Sequence, residues 1–453
     1  MRIAVAGATG FIGTALCDAL LAEGHEVVGL SRRPRAAHHR ACDLFSLTDV
    51  EEAVEGCEVA VYLVHSMLPS ARLTQASFAD LDLVLADNFA RACAKHRVRQ
   101  IVYLGGFIPE GEALSAHLQS RLEVEEALAS HGTPVTALRA GLVVGPGGSS
   151  LRILVNLVRR LPAMITPAWT LNPTQPIALR DVVRAFRVCI GNRAYFGGCY
   201  DIGGPDVMSY REMMQRTARV LGVERAMVGV PFFSTGLSKL WVSLVTGTPM
   251  ELVGPLVDSL RHPMVGNDNP LQQAIATGAQ PFDAALREAA TVEPRSPAQL
   301  LQRVRRRVRQ TRSVRSVQRL THPQQSATWV GEEYVRWLPT VPIPGLACDT
   351  HGDIAHFRLR GIKQPLLTLR RVPHPTEGVG WFEVTGGLLA IPSDPPGRLE
   401  FRSVLGGRYI LSAVHDFQPR LPWLLYNATQ ALGHLMVMHL FGKHLGRIAA
   451  APA

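Results

Sequence analysis

Met1-Arg-Ile-Ala-Val-Ala-Gly7-Ala-Thr-Gly10-Phe-Ile-Gly13 opens the chain and sets its architecture. A short apolar run leads straight into a glycine-rich turn, and an Ala/Leu-rich stretch with helical spacing occupies 14–22. In that context each glycine has its own physical task. Gly7 permits a tight turn, Gly10 lets backbone N–H groups approach a pyrophosphate, and Gly13 lets the helix pack close on its strand. The helix N-terminus adds unpaired donors and the positive end of its dipole. A second apolar run comes at 26–30, so the sequence predicts a dinucleotide-binding unit.

Outward from that unit, apolar runs at 59–64, 100–104 and 135–139 alternate with helical patterns near 50–55, 81–96 and 118–130. Such alternation predicts an α/β fold: a doubly wound parallel Rossmann sheet over 1–290, with ligands at the carboxyl ends of its strands. Within it, 146–290 reads as a smaller substrate-side subdomain, with helical segments at 149–160 and 210–221 between Pro- and Gly-bearing loops. Residues 291–312 read as a basic linker. Residues 313–453 read as an α+β C-terminal domain, with strand-like runs at 355–360, 366–371, 380–384, 398–404 and 409–417 and a closing helix at 424–445.

At 47% hydrophobic and 19% charged residues the 453-residue chain has the composition of a globular protein. Its seven cysteines (17, 42, 57, 93, 189, 199 and 348) form no Cys-x-x-Cys pair, so neither a disulfide framework nor a zinc site is expected. The first strand begins by residue 3, which predicts no signal peptide and a cytoplasmic location. The net charge of +10 is concentrated in a basic run at 304–319. That run reads as a solvated linker or helix face, or as a peripheral contact with an anionic membrane. It carries no interleaved aromatics, which weighs against nucleic acid. The stretch 421–442 lacks Asp, Glu, Lys and Arg and is long enough to span a bilayer. Pro422, Asn427, Gln430, His434 and His439 are costly in hydrocarbon, so a helix packed on a sheet is expected instead.

The tip of the second strand distinguishes the two nicotinamide cofactors. A carboxylate there would hydrogen-bond a ribose 2′-hydroxyl, whereas arginine suits a 2′-phosphate. The chain reads Val28-Gly-Leu-Ser31-Arg32-Arg33, with no acid, so NADP(H) is expected over NAD(H).

Residues 1–290 resemble an atypical or extended short-chain dehydrogenase/reductase. Gly7-Ala-Thr9-Gly10-Phe11-Ile12-Gly13 matches the family's cofactor loop, and Cys42-Asp43-Leu44 its Asp-Leu pair at the adenine. Val61-Tyr-Leu63-Val64-His65 matches the fourth-strand edge along the cofactor. Ile101-Val-Tyr-Leu104-Gly105-Gly106 matches the fifth strand, and Leu138-Arg139 through Gly145-Pro-Gly the sixth. The segment from Asp201 to Glu212 is similar to one in the group resembling nitrogen-metabolite-repression regulators. The resemblance implies cofactor contacts from Gly7, Thr9, Gly10, Phe11, Ile12, Gly13, Ser31, Arg32, Arg33, Asp43, Leu44, Leu63, Val64, His65, Leu104, Gly105 and Arg121. The C-terminal part resembles a bacterial domain of uncharacterised function, through Arg315-Ser-Val-Gln-Arg-Leu, Tyr334-Val-Arg-Trp-Leu-Pro and Asp416-Phe-Gln-Pro-Arg. Its pattern suggests a helix-grip fold.

That family uses a Tyr-x-x-x-Lys pair and a Ser or Thr near the end of the fifth strand. Here the strand ends in Gly105-Gly106, and His117 and Arg121 stand in register with the tyrosine and lysine. Histidine titrates near neutrality and can serve as general acid or base. Arginine holds phosphate or ribose but cannot release a proton. Two readings stay open. One is an oxidoreductase acting on a small or hydrophobic carbonyl or alkene, with His117 and Arg121 as catalytic residues. The other is a non-catalytic NADP(H)-binding sensor, regulator or assembly protein. The oligomeric state is left open.

Further candidates are weaker. His65 reads as a neighbour of the nicotinamide or as a hydrogen-bonded strand-end residue. Arg139 reads as a substrate-orienting group or a partner of a carboxylate. Trp169, Asn172 and Gln175 lie in a loop that could line a pocket, and Asp181 reads as a helix cap. His434, His439 and His444 recur every five residues, a spacing that spreads them around a helix, so no metal site is expected. Trp381, Phe401, Phe417, Trp423 and Tyr426 read as ordinary core or as the lining of a helix-grip pocket.

Overall fold

The computed structural model describes residues 1–65, 74–109, 111, 113–230, 235–247, 250–290, 314–320, 325–341, 345–373 and 379–450. They divide into two compact units, Met1–Leu68 with Ala86–Leu300, and Pro69–Leu85 with Leu301–Ala453. The linker at 291–312 and residues 304–313 of the basic run lie outside the described residues.

In the first unit, β1 (Arg2–Ala6) leads into α1 (Phe11–Ala22), β2 (Glu26–Ser31), β3 (His39–Ala41), α2 (Leu47–Val54) and β4 (Val59–Tyr62). The chain next passes through the short β5 (Thr74–Gln75), which belongs to the second unit, and then forms α3 (Phe78–Lys95), β6 (Gln100–Gly106), α4 (Ala116–Ala129) and β7 (Val135–Ala140). The division between the units falls inside α3. With the later strand Cys199–Ile202 at one edge, the sheet runs Cys199–Ile202, β7, β6, β4, β1, β2, β3. All its pairings are parallel, as the alternating pattern predicts. A parallel sheet covered on both faces needs continuously apolar central strands. Ile3, Ala4, Val5 and Ala6 of β1 and Val59, Ala60, Val61 and Tyr62 of β4 are accordingly buried. Leu16 and Leu20 of α1 join Ile3, Val5, Val61 and Val102 in one core, closed by Val182 and Phe186 from the helix Leu179–Cys189. The helix Ser149–Arg160 forms where expected and packs with Tyr210–Val220 and Phe282–Ala290 around Leu154, Val158, Met213 and Leu286.

The second unit starts with strand Val314–Leu320 and helix Ala327–Trp337. Six more strands come next: Leu346–His351, Ile354–Leu359, Leu367–Arg371, Val379–Gly386, Arg398–Val404 and Tyr409–Phe417. They pair antiparallel in that order, and Val314–Leu320 closes the row beside Tyr409–Phe417. Beyond it, β5 adds in parallel at the edge. The antiparallel sheet with its helices makes the α+β organisation the sequence suggested for this part of the chain. Besides β5, the strands Val314–Leu320 and Leu346–His351 and the helix Ala327–Trp337 were not foreseen. In the first, Arg315, Gln318 and Arg319 obscure the apolar signal of Val314, Val317 and Leu320. Val314–Leu320 is nevertheless taken into the sheet, with Val314, Arg315, Ser316, Val317 and Leu320 buried.

Instead of one closing helix at 424–445, two form, Trp423–Ala428 and Gln430–Ala450, separated at Thr429 (φ −130°, ψ −80°). Tyr334, Trp337, Phe401 and Phe441 fill the space between helices and sheet, with Tyr334–Phe441 and Trp337–Phe441 ring centroids 5.0 and 5.1 Å apart. The five aromatics considered for a pocket do not share one. Phe401 belongs to this core, and Phe417 and Tyr426 to a separate cluster with Val314, Ala390 and Ala431. Trp381, opposite Glu400 on the other sheet face, lies 4.9 Å from the Arg398 guanidinium, and Trp423 is exposed.

His434 turns inward, its Nε2 3.2 Å from Gln318 Oε1, and burial pushes its pKa down to about 4. A histidine depressed below its ordinary value contributes stability above pH ~6.5 that is lost as pH falls toward about 4, because the unfolded chain takes up the proton first. Between pH 7.5 and 5 the second unit should lose about 2 kcal/mol through this group. His415, buried 3.1 Å from Glu400, is also pushed down by burial and acts in the same direction. The share of His434 is therefore read as the difference between wild type and His434→Gln in unfolding midpoints across that pH range. Parallel pH profiles for the two proteins would refute it.

Candidate functional site

At the carboxyl edge of the first unit's sheet the glycine loop is held by contacts that leave no room for side chains. Gly7 has φ +88°, and a Cβ there would sit 3.1 Å from the Leu63 carbonyl oxygen. At Gly13 a Cβ would lie 2.2 Å from the Gly7 oxygen and 2.9 Å from the Ala8 Cα. The Gly10 N–H donates to the Gly7 oxygen (2.8 Å), and Gly10 caps α1 without a side-chain hydrogen bond. The first-turn N–H groups of α1 thus face an approach that no side-chain cap covers, as an anion-binding helix start requires. Phe11 packs against the turn at Gly145 and Gly148, and Ile12 against the main core. Both therefore offer backbone to a ligand.

The tip of β2 adjoins this loop. The Thr9 and Ser31 hydroxyls are 3.5 Å apart. Ser31 Oγ accepts from the Arg33 N–H (3.2 Å) and lies 3.1 Å from the Arg33 oxygen, a tight turn with Arg32 at its apex. Arg32, Arg33 and Arg35 are exposed, and 27–42 contains no Asp or Glu. The Arg35 N–H donates to His39 Nδ1 (3.1 Å), and the His39 ring lies against Gly29. Burial, then the neighbouring His38 and Arg35, lower the His39 pKa. After β3, Asp43 accepts from the Phe45 N–H (3.2 Å), and Asn88 holds the Leu44 and Phe45 carbonyls at 2.9 and 3.1 Å.

At the other end, β4 stops at Tyr62, so Leu63, Val64 and His65 extend past the strand, with the Leu63 N–H bonded to the Ala6 oxygen (3.0 Å). The His65 and His117 rings approach to 5.2 Å between centroids. Ser115 caps α4 by accepting from the Leu118 N–H (3.3 Å), which fixes His117 in the first turn. Arg121 stands one turn later on the same face, buried, with its carbonyl accepting from Tyr103 OH (3.1 Å). A Cβ at Gly105 would meet the Tyr103 ring at 2.9 Å, but at Gly106 the nearest atom would be 3.6 Å away. A Cβ therefore has room at 106, and the lack of a side chain there is not imposed by crowding at that atom.

Residues 3–194 match the model of the NAD dependent epimerase/dehydratase family. They form an epimerase/dehydratase domain of the extended short-chain dehydrogenase/reductase type. Among known proteins, the auxiliary protein GraX of Staphylococcus aureus is 30% identical over 141 residues, which is 30% of this chain. That match spans 42% of GraX, under two thirds of its length. A nucleoside-diphosphate-sugar epimerase from Staphylococcus aureus superposes with a TM-score of 0.52 at 17% identity, over 64% of this chain and 100% of that one. The triphenylmethane reductase of Citrobacter, solved with NADP(H), gives 0.51 at 17% identity over the same shares. At such identities the structural likeness speaks for the fold.

Elsewhere in the unit that carries the epimerase/dehydratase domain, several candidates have structural partners. Arg139 grips Glu125 through two nitrogens (3.1 and 2.6 Å), and Cys199 Sγ donates to the same carboxylate (3.1 Å). Trp169 packs against Tyr210 (6.0 Å between centroids). Asn172 donates to the Leu260 and Arg261 carbonyls, and Gln175 bridges the Gly204 oxygen and the Gly266 N–H. Both brace the 260–266 loop. Asp181 is not the cap of its helix, a place taken by Ala178. It sits in the first turn, accepts from the Gln280 N–H (2.8 Å) and faces Arg184 (3.4 Å). In the second unit the three histidines of the closing helix diverge: His434 meets Gln318, His444 meets Glu333 (2.8 Å), and His439 is exposed. All seven thiols are pushed upward, chiefly by burial: Cys17, Cys42, Cys189 and Cys348 to about 12, Cys199 to about 11, Cys57 and Cys93 in the same direction. None of them is poised as a thiolate nucleophile. Sequence reasoning weighed His65 and His117 separately and missed their approach, and it passed over Arg35 and His39. The acid-free run of four arginines and two histidines at 32–40 was the available signal for the latter pair.

Proposed function

We propose that the first unit is an NADP(H)-dependent oxidoreductase acting on a small or hydrophobic carbonyl or alkene. The observation that carries this reading is the acid-free Ser31-Arg32-Arg33 turn beside a glycine cradle that no side chain could enter. Backbone N–H groups of Gly10, Phe11, Ile12 and Gly13 would hold the pyrophosphate, with Gly7 and Thr9 shaping the loop. Arg32 and Arg33 would hold the 2′-phosphate, with Asp43 and Leu44 at the adenine. Leu63, Val64, His65, Leu104, Gly105 and Arg121 would line the nicotinamide half. When bound, NADPH would supply a hydride. His117 would then give its proton to the oxygen of a carbonyl substrate or to the carbon next to the one reduced in an alkene, and Arg121 would hold ribose or phosphate without taking part in proton transfer. That the Citrobacter triphenylmethane reductase was solved with NADP(H) supports the cofactor assignment.

A second reading, an NADP(H)-binding sensor, regulator or assembly protein without turnover, is favoured by one specific observation. Gly105-Gly106 carries no hydroxyl although a Cβ has room at Gly106, and the tyrosine and lysine of the family pair are replaced. The name "auxiliary protein" borne by GraX fits this reading.

The cofactor assignment is tested with Arg32→Ala/Arg33→Ala. Charge-assisted contacts to a phosphate contribute about 1.5–3 kcal/mol each, so NADPH binding should weaken roughly 100-fold or more. NADH, without the 2′-phosphate, should change less than about threefold in the same calorimetric titration. Equal losses for both cofactors would refute the assignment.

A further inference from the structure

Two consecutive helices of the second unit expose large apolar side chains on adjoining turns. Trp423, Leu424 and Leu425 lie on Trp423–Ala428, and Leu432, Leu435 and Met436 on Gln430–Ala450, each between 36% and 63% exposed. On the longer helix the last three stand at i, i+3 and i+4 and form one stripe, while Ala431, Val437, Met438, Phe441 and Leu445 turn inward. The stripe continues through exposed His439, Lys443 and Arg447, so its first turns are apolar and its later ones basic. Leu388 and Ile391, also exposed, are held beside the entry to these helices. The Ile391 N–H donates to the Gln418 oxygen (2.9 Å), and the Arg420 N–H to the Leu389 oxygen (3.0 Å).

The charge pattern indicates what covers this face. From residue 417 to 453 the chain has no Asp or Glu, and Arg420, Lys443 and Arg447 are its only Lys or Arg. Inward-facing polar groups of the same helices are already engaged, Tyr426 with Gln75 (3.3 Å) and His434 with Gln318 (3.2 Å). Among the described residues no helix is long and apolar enough to cross a membrane. A helix that cannot cross, apolar on one stripe and rimmed by cations, suits the plane of a lipid interface, where tryptophan is favoured. A second copy of the chain would set the same acid-free, cationic rim against itself, and like charges oppose that pairing.

We propose that the second unit docks on an anionic lipid surface through the outward face of 423–443, apolar side chains in the interface and Arg420, Lys443 and Arg447 among the headgroups. These segments are separate in sequence from the basic run at 304–319, of which 314–319 is taken up in the sheet. The test is flotation of the full-length protein with unilamellar vesicles of phosphatidylcholine alone and of phosphatidylcholine with phosphatidylglycerol at about 7:3, where anionic headgroups add electrostatic attraction. The mixed vesicles should bind at least about tenfold better, an advantage that fades with added salt. Leu424→Gln/Leu425→Gln/Met436→Gln should lower binding to the mixed vesicles by about tenfold or more, since the apolar stripe carries the insertion. If that variant folds poorly, Lys443→Glu/Arg447→Glu serves instead and should remove the preference for anionic vesicles while leaving the unfolding midpoint in place. Three results would overturn the proposal: no binding to either vesicle, variants that bind as well as wild type, or a dimer in analytical ultracentrifugation that the apolar variant dissociates.

Discussion

Gly13→Val should abolish NADPH binding, with a loss of at least about a thousandfold, and should cost the first unit several kcal/mol of stability. Even the first added carbon would lie 2.2 Å from the Gly7 oxygen, 2.9 Å from the Gly7 carbonyl carbon and 2.9 Å from the Ala8 Cα. All three atoms are backbone, so no side chain can swing aside, and α1 must move away from the loop. That movement separates the helix start from Gly7 and Gly10 and scatters the donors that a pyrophosphate needs at once. Gly24→Ala is the control. Gly24 has φ +78° but nothing within 4 Å of the position a Cβ would take, so only backbone strain of about 1 kcal/mol is added and binding is unchanged. Calorimetric titration and thermal unfolding of both variants measure the contrast. Near-normal NADPH affinity in Gly13→Val would show that the loop is not the cofactor cradle.

His117→Ala should lower substrate-dependent NADPH oxidation by about 10²–10⁴-fold while the NADPH dissociation constant moves less than about threefold. The split is expected because His117, beside His65, is assigned to proton transfer, whereas the proposal assigns the phosphates to backbone donors and to Arg32 and Arg33. The assay is a carbonyl and alkene panel run with wild type and variant at saturating NADPH. Equal losses of turnover and of cofactor affinity would make His117 a binding residue. A wild type that oxidises NADPH with no member of the panel, yet changes a partner's binding when NADPH is added, would move the assignment to the sensor reading.

The parts of the fold and site that depend on neighbours in sequence could be read in advance. The glycine loop, its flanking strand and helix, and the Arg32–Arg33 tip are local features, and they form where the residues place them. The strands Arg398–Val404 and Tyr409–Phe417 coincide with their apolar runs. Parts that depend on which distant residue arrives could not be read. Arg139 carries no mark in sequence that it will grip Glu125, and the approach of His65 to His117 joins a strand end to a helix start far along the chain. Trp381 and Phe382 are adjacent yet face opposite sides of one strand, and only the register with Arg398–Val404 decides which of them enters the core. The two-residue β5 has no periodicity to detect. Val314–Leu320 was obscured by its cations, since Arg315 becomes buried only because the sheet builds around it.

The most direct test of the central claim is calorimetric titration of the wild-type protein with NADPH and, separately, with NADH. The account predicts that NADPH binds at least about 100-fold more tightly than NADH, a difference of about 2.7 kcal/mol from contacts to the 2′-phosphate. Equal affinities, or tighter binding of NADH, would contradict the role given to Arg32 and Arg33. Binding of neither would contradict the glycine cradle itself.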